Sequence, residues 1–172
     1  MHDAAGTNPT LSGEPSPPSA SAQRVQHALD QFGLGHRVIE LPDSTRSAQE
    51  AAQAVGCSVG QIAKSLVFRA AASGRPILVI ASGSHRVNEA RLSALLGEPI
   101  EKADADFVRQ HTGFAIRGVP PVCHPQRLTT VLDEALFAYS EIWPATDTPR
   151  AVFRLTPSEL QAETGGQAAA LT

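Results

Sequence analysis

Apolar positions along the 172-residue chain recur with two periods. Val25, Ala28, Leu29 and Phe32 stand at i, i+3, i+4 and i+7, the stripe of an amphipathic helix starting near Ala22, and Gly33 or Gly35 ends it. Residues 36–41 alternate as a half-buried strand does, and Pro42-Asp43 turns the chain. Residues 47–55 read as a second helix, with Ser44, Thr45 or Ser47 as candidate N-cap and Gly56 as its stop. Ser58 caps a short helix over 59–63, and strands over 65–71 and 76–81 form a hairpin around Ser73-Gly74-Arg75. Asn88 caps a helix ending at Gly97, with Ala90, Leu92, Leu95 and Leu96 as its apolar face. Ile100 begins a short edge strand, and Asp104 caps a helix through Arg109.

Beyond this point glycine and proline punctuate the chain, and 114–125 reads as a loop. Strands over 128–132 and 141–144 flank a helical turn at 135–138, and 151–155 is a further strand. Thr156-Pro157 then opens a last helix as N-cap and first-turn proline. This order of elements predicts one domain of the α/β or α+β class, a mixed sheet with helices outside it.

Residues 1–22 carry almost no strongly apolar side chain and read as a disordered tail, and 167–172 as a flexible end. Aromatics make up 5% of the chain against 42% hydrophobic residues, so the core must be filled by Ala, Val, Leu and Ile. No apolar run has the length of a membrane span, and the N-terminus shows no signal-peptide pattern. Cys57 and Cys123 stand far apart, which argues against a disulfide framework or a zinc site and makes a reducing cytoplasm the expectation. A net charge of −3 excludes a protein that blankets nucleic-acid phosphates, and DNA binding with it. Any contact with a nucleic acid must be made by a local cluster of arginines. Twelve arginines against two lysines, Lys64 and Lys102, hint that position 64 wants a compact ammonium.

Two stretches carry candidate chemistry. In Ile62-Ala63-Lys64-Ser65-Leu66-Val67-Phe68 a lysine stands where a helix passes into an apolar strand. Such a lysine either snorkels to solvent or offers a partly desolvated ammonium to an anionic or carbonyl oxygen. In Arg117-Gly118-Val119-Pro120-Pro121-Val122-Cys123-His124 two prolines stiffen the backbone, and Gly118 lets a ligand approach the main chain. This is either a tight structural turn or a rim presenting backbone N–H groups. His124 is a solvated histidine or a general base. Neither stretch calls for a metal or cofactor.

In order and spacing, SAQEAAQAVG, QIAKSLVFR, LVIASGSHRVN, GVPP, LDEALFAYSEIW and PRAVFRLTPSEL resemble the YbaK/ProX family, which also occurs as the editing insertion of bacterial prolyl-tRNA synthetases. The match runs from about residue 22 to 166, so that an editing domain is expected over 23–166. The resemblance implies a mixed sheet partly closed into a barrel, and hydrolysis in trans of the ester joining a small, wrong amino acid to tRNA. Lys64 matches the family's essential lysine, and Gly118 to Pro121 match part of its glycine-proline loop. By the same resemblance Lys64 and Gly118 are the catalytic candidates, and Val119, Pro120, Pro121, Thr146 and Thr148 the substrate-binding ones, to which the reading of the loop itself adds His124. Arg117, Arg86 and Arg150 are candidates to touch tRNA. Where relatives carry glycine, this chain has Arg117 and Cys123, and Arg117 either narrows the pocket or turns outward. The implied partners are aminoacylated tRNA and, with it, an aminoacyl-tRNA synthetase. The competing reading is a catalytically inactive module that binds tRNA or a synthetase; a redox role for Cys57 or Cys123 ranks below it.

Overall fold

The computed structural model describes residues 20–33, 35–41, 45, 47–116, 118–122, 124–144 and 151–172. Helix α1 (Ala20–Phe32) leads into strand β1 (Val38–Glu40), then α2 (Ala48–Val55), a 3-10 turn (Val59–Gln61), β2 (Ile62–Ala70) and β3 (Pro76–Ser82). After them come α3 (Glu89–Leu96), β4 (Ile100–Lys102), α4 (Ala105–Thr112), β5 (Thr129–Asp133) and a second 3-10 turn (Glu134–Ala138). The chain closes with β6 (Trp143–Pro144), β7 (Ala151–Phe153), α5 (Pro157–Thr164) and β8 (Gln167–Ala169).

Local chemistry accounts for the helix limits. Ser47 accepts the Glu50 N–H at 3.1 Å and so caps α2, while Gly56 ends it with φ of 78°, a left-handed conformation that suits glycine. A capping box between Thr156 and Glu159, with Pro157 in the first turn, starts α5. Residues 59–63 do not stay helical. Sheet partners claim the last two, since Ala63 pairs with Ser82 and Pro144, and Ile62 with Trp143.

The mixed sheet runs β4-β2-β3-β5-β8, with β6 beside the first residues of β2. β2 pairs antiparallel with β3 and β4, whereas β3–β5, β5–β8 and β2–β6 are parallel. β1 and β7 form a separate antiparallel pair, which an Ile142–Leu155 bridge ties to the stretch before β6. The expected single mixed domain is therefore found, but among the described residues the sheet is open and does not close into a barrel.

β3 is buried on both faces, which explains its unbroken apolar sequence. Leu78 and Ile80 face a cluster with Val25 and Leu29 of α1, Leu160 of α5, and Phe114, Val119 and Val122 of the long loop. Ile77 and Val79 face the opposite cluster, with Phe68, Leu92, Val131 and Leu171. Three sequence expectations change. Of the apolar face predicted for α3 only Leu92 is fully buried, and Leu95 is 38% exposed. Residues 167–172 are not a loose end: β8 pairs with β5, Leu171 is buried, and its carbonyl accepts the Asn88 N–H at 2.7 Å. The tail predicted over 1–22 lies outside the described residues up to 19, and 20–22 already belong to α1.

Candidate active site

Lys64 is the third residue of β2, not a helix-to-strand junction residue, and stands opposite Ala81 of β3. Where β3 ends, the chain turns sharply: Gly83 N–H donates to Ile62 O at 2.7 Å and His85 N–H to Ser82 O at 2.9 Å. Gly83 must be small here, because a Cβ would press on the Val59 carbonyl oxygen and lie 3.1 Å from the Ala48 methyl. The turn brings the His85 carbonyl back over β2, where it accepts a hydrogen bond from Lys64 Nζ at 2.9 Å.

Parallel pairing of β3 with β5 sets Ile80 against Leu132 and so delivers Asp133 to the same turn. Asp133 is buried, and both oxygens of its carboxylate are engaged. Oδ2 accepts the Ser82 N–H at 3.1 Å and meets His85 Nδ1 at 3.0 Å, while Oδ1 accepts the Ala135 N–H at 3.0 Å. Ser82 Oγ donates to Gly60 O at 2.7 Å and lies 3.1 Å from Ser84 Oγ. Burial pushes the Lys64 amine below the ordinary lysine value, the Arg86 charge pushes the same way, and Asp133 opposes both. The result is a half-buried ammonium beside a carboxylate-anchored imidazole, all at one end of the sheet.

The other predicted site residues divide. Arg86 is exposed and close enough for its charge to act on Lys64. Gly118, Val119, Pro120 and Pro121 are buried, and Gly118 N–H is spent on Ala115 O at 2.8 Å, so it is not the free main-chain donor expected. The two prolines have no N–H to offer. Side chains alternate along a strand. Ala63 and Val67 face the cluster that holds Val119, whereas Leu66 and Phe68 face the other. Lys64 shares the parity of Leu66 and Phe68, so the amine and the packed loop lie on opposite faces of β2. No hydrogen bond joins them among the described residues. The structure thus unites Lys64 with His85, Asp133 and Arg86, not with the Gly118 loop.

His124 is also apart. Its ring stands edge-on to Phe114, 6.4 Å between centroids, and lines a cavity of about 720 Å³ with Arg24, His27 and Thr112. Among the described residues neither ring nitrogen has a close hydrogen-bond partner. Burial lowers its pKa to about 4, with the Pro120 and Pro121 backbone pulling weakly upward. It is therefore neutral near pH 7. Arg117, Cys123, Thr146, Thr148 and Arg150 lie outside the described residues.

Sequence reasoning missed His85 and Asp133. The usable signal for Asp133 was a carboxylate ending an otherwise apolar strand, Val131-Leu132-Asp133, where burial demands hydrogen-bond partners. His85 stood in the quoted LVIASGSHRVN without being singled out.

A crystal structure described as that of a candidate trans-editing enzyme for prolyl tRNA synthetase is 52% identical, with a TM-score of 0.87 over 91% of this chain and 99% of that one. The uncharacterized protein YwhH of Bacillus subtilis (strain 168) is 28% identical over 140 residues, 81% of this chain and 88% of its own. The proline–tRNA ligase of Limosilactobacillus fermentum is 29% identical over 126 residues, which span 67% of this chain but only 22% of the ligase. The model of the aminoacyl-tRNA editing domain matches residues 42–162, a stretch that takes in Lys64, His85 and Asp133, and the chain belongs to that family.

Proposed function

We propose that this protein is a free-standing deacylase that hydrolyses the ester linking a small, wrongly attached amino acid to the 3′ end of tRNA. The observation that carries the reading is the placement of Lys64. In a member of the editing family, its amine is half-desolvated, pinned by the His85 carbonyl and flanked by Asp133. An ammonium held in this way gains electrostatic strength from its partial removal from water. It needs no reorganisation to meet negative charge as that charge develops on an ester carbonyl oxygen. Arg86, exposed beside it, supplies a second positive charge for a terminal phosphate. One arginine beside the site fits an acidic protein that grips only the acceptor end.

A hydrolytic second site is chemically useful for such substrates. A synthetase pocket separates small near-isosteric amino acids by only about a hundredfold, and a separate ester hydrolase removes the remainder. A cytoplasmic location follows from this substrate. The test is a panel of tRNAs charged with alanine, serine, threonine or cysteine, incubated with the purified full chain and no synthetase. Turnover of at least one is the expected result. No turnover of any of the four refutes the reading and favours a module that binds without hydrolysis.

A further inference from the structure

Hydrolysis of an ester at neutral pH needs a water made nucleophilic as well as a stabilised oxyanion. Lys64 serves the second need and is unsuited to the first while it remains an ammonium. The group beside it has the right form. Asp133 accepts two backbone N–H bonds, from Ser82 and Ala135, which a carboxylate anion satisfies best. Among the described residues its third contact is His85 Nδ1 at 3.0 Å, which must then carry a hydrogen toward the anion. This fixes the tautomer of a neutral imidazole: Nδ1 protonated and bound, Nε2 with its lone pair free. The His85 side chain is 33% exposed, whereas that of Asp133 is 2% exposed, so the ring is anchored at its inner end and open at its outer end. The same residue's carbonyl holds Lys64 Nζ, so ring and amine cannot drift apart.

We infer that His85 is the general base of the reaction and Asp133 its positioning residue. The inference rests on the deacylase reading and adds to it how the water is activated. In the step, water gives a proton to His85 Nε2 as its oxygen bonds to the ester carbonyl carbon, and Lys64 faces the oxyanion that forms. Collapse breaks the bond between that carbon and the ribose oxygen, which takes the proton back from the imidazolium. Free amino acid and a tRNA with both ribose hydroxyls result, and no other reactant is consumed. Asp133 keeps the imidazole in the required tautomer and steadies its transient positive charge.

The test separates base from scaffold. In His85→Asn the amide nitrogen occupies the place of Nδ1 and still donates to Asp133, but nothing replaces Nε2. The four charged tRNAs named above are the substrates. Expected is a fall in kcat on the order of a hundredfold or more for the tRNA that wild type hydrolyses, with KM little changed and the melting curve preserved. His85→Ala should fall similarly and regain activity when free imidazole is added, which a purely structural defect would not do. If wild type hydrolyses one of the tRNAs and His85→Asn keeps its kcat within threefold, or imidazole rescues nothing, His85 is not the base. If wild type hydrolyses none, the deacylase reading itself fails and this assignment with it.

Discussion

His124 makes the fold sensitive to mild acid in a way that can be worked out in advance. Its ring nitrogens are buried without close partners among the described residues, and burial lowers its pKa from 6.5 to about 4. The folded protein thus keeps His124 neutral down to about pH 4, while the unfolded chain takes up a proton below about pH 6.5. Stability falls wherever the unfolded state binds more protons, so this contribution is present at pH 7 and is lost as pH drops through that window. At about 1.36 kcal/mol per pKa unit, going from pH 7 to pH 5 costs about 2 kcal/mol. For a chain of this size that lowers the melting midpoint by about 4–8 °C. The perturbation is His124→Gln, which does not titrate, and the assay is thermal unfolding by circular dichroism at several pH values between 5 and 7. Absolute stability will differ because the ring is lost, so the quantity to compare is slope. The wild-type midpoint should fall more steeply than the variant's by that amount. Parallel slopes would refute the reasoning.

Glu163 predicts the opposite trend. Burial raises its pKa against the pull of His36, so its contribution is complete below the ordinary carboxylate pKa and is lost as pH rises. Glu163→Gln should therefore gain on wild type in melting temperature from pH 4 to pH 8, and a flat difference would contradict this. Gly83→Ala drives a methyl onto the Val59 carbonyl oxygen, a backbone atom that cannot swing away, and should cost about 1–3 kcal/mol in urea unfolding. Because Gly83 opens the turn that carries His85, deacylation should fall with it. Unchanged stability would show that the turn is not tight.

How much was legible in advance follows from the range of the forces involved. Ser47, Asn88, Asp104 and Thr156 each cap a helix through the N–H three residues on, and all four were readable as caps. The β2–β3 hairpin was readable for the same reason, since a seven-residue register closes over one short turn. β8 was not. Gln167-Ala168-Ala169 has no β-branched or aromatic residue, and becomes a strand only because β5, more than thirty positions earlier, offers it a parallel edge. The site divides along the same line. Lys64 drew attention as an isolated charge in an apolar run, whereas its partnership with Asp133 depends on the β3–β5 pairing between distant segments. The Gly118 stretch stayed open between a rim and a packed turn because glycine and proline serve both equally well. Here Val119 and Val122 are core residues and the Gly118 N–H is already used.

Deacylation depends most directly on the Lys64 ammonium. Single-turnover hydrolysis of alanine-charged tRNA, or of whichever charged tRNA wild type prefers, should be measured for wild type, Lys64→Ala and Lys64→Arg with melting curves alongside. Loss of one such preorganised donor predicts a rate on the order of 10²–10³ slower for Lys64→Ala with the fold intact, and little recovery in Lys64→Arg, whose planar fork does not reproduce a compact ammonium. A folded Lys64→Ala protein that cleaves the ester at the wild-type rate would contradict the account.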